Sequence, residues 1–120
     1  MHTYAITVLN QTFVGEQPEP FFDVVTFLAN LDETQIQDVA SLKQLATDTQ
    51  LMPSYDDGMG QMVTEKVAKI LDVYELIDEV QFEGNPEVNS RQIVPAKPMD
   101  LTQFLATFYS DYVYEDDFKD

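Results

Sequence analysis

The sequence has no cysteine and no tryptophan, and it has only one histidine and one arginine. Without cysteine there is no disulfide framework, no zinc–thiolate centre and no thiol nucleophile. The single histidine, His2, sits at the chain end. That is a poor position for a general base, the role histidine most often fills near neutral pH. With Arg91 as the only arginine, bidentate clamps on anionic substrates are scarce. The four glycines, Gly15, Gly58, Gly60 and Gly84, build no phosphate loop, and none of the four serines lies in a G-x-S-x-G setting. Apolar runs are only a few residues long, which argues against a membrane-spanning helix. The first residues, "MHTYAITVLNQ", lack the basic start and long apolar stretch of a signal peptide, so a cytoplasmic protein is expected.

Positive charge is scarce too. Twenty-two acids face six bases, for a net charge of −16, and Lys43 is the only base among the first sixty residues. Such a surface repels nucleic acid and anionic membranes, because binding to phosphate rests on lysine and arginine. It attracts basic protein surfaces, most strongly at low salt. The plainer alternative is that the acidity serves solubility or habitat. The apolar fraction of 44% and the aromatic fraction of 12% are too rich for a disordered chain. A length of 120 residues suits one domain.

"TYAITVLNQTFV" at 3–14 reads as a strand, with a turn at Asn10-Gln11 as a variant. Phe21, Val24, Val25, Leu28 and Leu31 follow Pro20 at helical spacing and predict a helix over 20–31. Asp32 with Gln35, and Asp100 with Gln103, read as capping boxes. The first opens a helix through Leu45 and Ala46, with a restart at Ser41; the second opens the last helix, whose stripe is Leu101, Phe104, Leu105, Phe108 and Tyr112. Over 61–80, Val63, Val67, Ile70, Leu71, Tyr74 and Ile77 share one helical face, opposite Glu65, Lys69, Asp72, Glu75 and Glu79. Short strands are expected at 80–83 and 91–95. The sum is an α+β domain, mostly helical, with about four helices and a small antiparallel sheet that includes the N-terminal strand.

Three stretches invite a functional reading. "YDDGMGQMVTE" resembles a calcium loop only superficially. With Gly58 at the sixth position, Pro53 and Tyr55 fall where carboxylates belong and Glu65 comes one residue late. A polar turn is expected there, and no metal or cofactor. Among Met52, Met59 and Met62, Met62 reads as core filling and Met59 as an exposed contact. The third stretch is the end of the chain, "YSDYVYEDDFKD", in which aromatics and acids interleave. Tyrosines suit interfaces, and acids four apart on a helix lie about 6 Å apart, near the spacing of phosphates along one nucleic-acid strand. Asp111, Tyr112, Tyr114, Glu115, Asp116 and Asp117 are therefore the primary partner-binding candidates, with Asp56, Asp57, Glu65 and Glu79 as a second patch. The alternative is that residues 113–120 are a solvated acidic tail.

In size, charge and lack of catalytic motifs, the chain resembles the small acidic proteins with which phages and mobile elements occupy DNA-binding grooves: DNA mimics, anti-restriction proteins and some anti-CRISPR proteins. The likeness is one of composition. Those proteins share no common fold, so it assigns no residue a role. It implies a non-enzymatic inhibitor, monomeric or dimeric, whose partner is a basic, nucleic-acid-processing enzyme. The competing expectation is a virion or tail assembly protein that pairs through a sheet edge.

Overall fold

The computed structural model describes residues 1–78 and 81–118. Its elements are β1 (His2–Val14), β2 (Gln17–Leu31), α1 (Glu33–Ile36), α2 (Val39–Gln50), β3 (Tyr55–Asp56), β4 (Met62–Glu75), β5 (Glu87–Ile93), α3 (Leu101–Phe108) and a closing 3-10 helix, Tyr114–Phe118. The five strands form one curled antiparallel sheet in the order β3-β4-β1-β2-β5. The fold is therefore mostly β, which corrects the expectation of a mostly helical domain. The stretch 20–31, expected as a helix, lies within the long strand β2, and Met62–Glu75 of the helix expected over 61–80 form the long strand β4.

The physical reason is that the sheet is covered on both faces. Residues of a strand alternate between faces. Here Tyr4, Ile6 and Val8 of β1 join Val25, Phe27, Ala29 and Leu31 of β2 and Ile70 of β4 beneath Leu42 and Ala46 of α2. On the other face, Leu9, Phe22, Val24 and Leu71 pack against Phe104 of α3 and against Val113. The register sets Ile6 opposite Phe27 and Val8 opposite Val25 on the first face, and Leu9 opposite Val24 on the second. Adjacent apolar residues such as Val24-Val25 and Ile70-Leu71 thus serve two cores. Summed along the strand, that pattern imitates the i, i+3, i+4 spacing of a helix. Phe22 and Phe104 stack at 4.0 Å between ring centres, joining α3 to the sheet.

Pairing with β1 skips Leu71 and Ala68, so β4 carries two bulges. Bulges increase local twist and bend the bulged strand, in keeping with the curl. β1 runs through Asn10-Gln11 without a turn, and the irregularity there is a register shift against β2 at Thr12. Both capping boxes form. Asp32 accepts from the Thr34 and Gln35 N–H groups, and Asp100 from the Gln103 N–H. The first helical stretch restarts at Asp38, whose carboxylate accepts from the backbone N–H and the hydroxyl of Ser41. The expected strand at 80–83 is absent over 81–83, and Val80 lies outside the described residues. No helix among the described residues is long and apolar enough to cross a membrane.

Candidate functional site

The C-terminal segment is anchored from beneath. Val113 is buried, and the Tyr114 hydroxyl donates to the Ile36 carbonyl at 2.8 Å. Glu115 turns inward. Its carboxylate accepts the Ile70 N–H at 3.0 Å and the Lys43 ammonium at 3.0 Å, and lies 3.6 Å from the Lys69 Nζ. Lys43 also donates to the Ala68 carbonyl, at one of the two bulges. β3 pairs with β4 only through Tyr55–Val63 and Asp56–Met62. The closing 3-10 helix and its carboxylate therefore satisfy part of an otherwise open sheet edge.

Between these anchors, side chains face solvent. Asp111, Tyr112, Asp116 and Asp117 are exposed, and Tyr112 O–H lies 3.3 Å from the Asp117 carboxylate. Desolvation and the neighbouring Asp117 charge push the Tyr112 hydroxyl pKa up, and the same causes raise that of Tyr114. Phe108, Tyr112 and Phe118 are the large apolar groups left exposed here, although the sequence stripe assigned Phe108 and Tyr112 to the core. The structure thus divides the predicted cluster: Tyr114 and Glu115 hold the segment down, Asp116 is exposed but lies 3.6 Å from the Lys69 Nζ, and Asp111, Tyr112 and Asp117 look outward.

The second predicted patch does not converge. Asp56 and Asp57 lie on the β3–β4 hairpin and bond within it. Asp56 accepts the Gly58 N–H, and Asp57 accepts the Met59 and Gln61 N–H groups. Gly58 and Gly60 have φ of 85° and 86°, a conformation that favours glycine. The polar turn leads into strand β4 rather than into a helix. Among the described residues no group of three or more histidine, cysteine or acidic side chains is placed to hold a metal. Met59 is exposed at the tip; Met62, expected in the core, is 47% exposed. Glu79 lies outside the described residues.

Glu65 is elsewhere, and in company the sequence did not suggest. It lines a cavity of about 400 Å³ with Asn10, Asp23, Met52 and Gln92. Burial pushes the pKa of both Asp23 and Glu65 up, and the Asp23 charge raises that of Glu65 further. The missed signal was parity. Asn10 follows Tyr4, Ile6 and Val8 on the same face of β1, and Asp23 precedes Val25 and Phe27 on β2. Polar residues on core positions of neighbouring strands mark a lined cavity once those stretches are read as strands.

No protein-family model, no curated protein and no solved structure matches this chain. The site therefore rests on its own geometry.

Proposed function

We propose that residues 1–120 act as one acidic, non-enzymatic protein-binding domain. It docks on a basic surface, of the kind that lines the nucleic-acid channel of a processing enzyme, and blocks it by imitating phosphates. The observation that carries this reading is the anchored C-terminal segment. Asp111, Asp116 and Asp117 stand exposed around Tyr112, while Val113, Tyr114 and Glu115 fix the backbone below them. A fixed presentation lowers the ordering cost of binding. A net charge of −16 steers encounter with a basic partner. Lys43 and Lys69 are balanced by Glu115 and Asp116 together, so they do little to offset the field of the remaining acids. No cofactor, membrane or direct nucleic-acid contact enters this reading, and the place of action is the cytoplasm, the host's if the gene belongs to a phage.

One observation favours a second reading. β5 forms the edge of the sheet beyond β2, and its residues Glu87–Gln92 are all exposed. An open edge pairs readily with another chain, as an assembly protein or a homodimer would use it.

The test is capture from cell lysate at low and then high salt, with and without duplex DNA as competitor, beside the triple variant Asp111→Asn, Asp116→Asn, Asp117→Asn. The proposal expects a nucleic-acid-binding protein that salt and DNA both release and that the variant fails to hold. A partner retained equally by the variant and indifferent to salt would transfer the function to the sheet edge.

A further inference from the structure

We propose that the cavity over the outer end of β1, β2 and β4 is a binding site for a guanidinium group. Three acceptors from three neighbouring strands line it: Asn10 on β1, Asp23 on β2 and Glu65 on β4. Asn10 is the decisive member. The residue is 1% exposed, and its Oδ1 has no hydrogen-bond partner among the described residues. A buried acceptor left unpaired is costly, so a residue of this kind points to something that donates to it. The two acids beside it share the need. Neither forms an ion pair with a described residue, and each raises the cost of ionising the other. Asp23 accepts a side-chain hydrogen bond from Gln92.

What fits is a group that donates, carries positive charge and is flat. A guanidinium has five N–H donors and no acceptor, and it is planar and less strongly hydrated than an ammonium, so it can lay its plane along an aromatic face. The adjoining part of the cavity, about 290 Å³, is walled by Phe21, Met52, Pro53 and Tyr55, which suit the plane and its carbon stem. Together these volumes are in the range of about 300–1,000 Å³ in which small ligands sit. A calcium ion takes about 6–8 oxygens; Asn10 and two carboxylates supply fewer, and the apolar wall gives it nothing. Arg91 stands exposed on β5 at the rim of the same cavity.

This inference goes beyond the docking proposal and does not depend on it, because the site is tested without a partner. The experiment titrates the full chain with N-acetyl-arginine methylamide, reading the Asn10 side-chain amide by NMR and the affinity by calorimetry. Saturable binding that shifts the Asn10 amide is expected. Glu65→Gln and Asp23→Asn should each weaken it at least about tenfold, the loss of one charged hydrogen bond, and the lysine analogue should bind less tightly than the arginine one. The wild-type Asn10 signal decides the case even if a variant fails to fold. Two further arms separate the sources: a neutral peptide bearing one arginine, and free arginine. Tighter binding of the peptide assigns the site to a partner's side chain, and tighter binding of free arginine to a small molecule; both sustain the guanidinium site. No saturable binding, equal binding of the lysine analogue, or tighter occupation by calcium would overturn it. None of these results bears on the exposed acids of residues 111–117, and loss of partner capture in the triple variant leaves this cavity untouched.

Discussion

Glu115 meets two lysines and a backbone N–H, whereas Glu65 feels the charge of Asp23 and neither of these two acids is ion-paired with a described residue. All three carboxylates are drawn against the same sheet, from its edge in one case and on its face in the other. The first region is a closed account of charges and donors, and it fixes the last segment of the chain. The second gathers acceptors and negative charge, with a side-chain donor for Asp23 in Gln92 but none for the Asn10 Oδ1 among the described residues. A protein with so few bases places two of them, Lys43 and Lys69, in ion pairs at the first region, and only the exposed Arg91 at the rim of the second. Unsatisfied polar groups are what a binding site retains and a structural site removes.

The largest effect should come from opening the satisfied region. Glu115→Ala removes the partner of two half-buried lysines and of the Ile70 N–H. Breaking a fully buried pair costs about 3–5 kcal/mol; with the lysines partly solvated, a loss of about 2–3 kcal/mol is expected from urea unfolding. Residues 113–118 should become sensitive to limited proteolysis at the same time. Glu115→Gln, which keeps an acceptor for the Ile70 N–H, should recover part of the loss. If Glu115→Ala leaves the unfolding midpoint unchanged, the contrast between the two regions disappears.

Asp100 is a second satisfied acid, and its effect should be smaller. It accepts the Gln103 N–H at 2.8 Å, while the Gln103 side chain accepts the Asp100 N–H at 3.0 Å. Asp100→Ala should cost about 1 kcal/mol, read as a lowered melting temperature, because it loosens the helix that carries Phe104 onto Phe22.

This cap shows what was legible in the sequence. Asp100 with Gln103 and Asp32 with Gln35 are local patterns, and local patterns survive into the structure. The N-terminal strand was legible for a similar reason, as a dense run of Val, Ile, Thr and Tyr. The strands β2 and β4 were not, because burial on both faces erases the period of two that announces a strand. Val24-Val25-Thr26 and the β-branched residues of 63–73 carried the correct signal, but the apolar spacing of a helix overrode it. The cavity was hidden by the same error. Asn10 reads as a turn residue, Asp23 as the first turn of a helix and Glu65 as a helix surface acid, until the strands set all three on one face. Glu115 was visible as an acid but not as an inward one, since its partners Lys43 and Ile70 come from distant segments.

The smallest effect has the opposite sign and tests the unsatisfied region directly. In the folded protein, burial raises the pKa of Asp23 and Glu65 above their ordinary 3.8 and 4.5. A raised carboxylate binds more protons folded than unfolded, so its contribution is fully present below the ordinary value and is lost as pH rises through the raised one. Glu65→Gln, which mimics the protonated form, should therefore match the wild type in acid and exceed it near neutrality. Both acids remain partly solvated, so screening keeps the gain below about 1 kcal/mol. Asp32 and Asp38 run the other way: hydrogen bonds from Thr34 and Ser41 lower their pKa, and their contribution fades as pH falls. Asp23→Asn should behave like Glu65→Gln, though more weakly, since Gln92 already supports the Asp23 charge. The double variant should gain less than the sum of the single ones, because either change alone removes the repulsion between the pair. Chemical denaturation of the four proteins across the acid-to-neutral range gives this coupling; strict additivity would mean that the two acids do not sense each other, and that the cavity does not gather their charge.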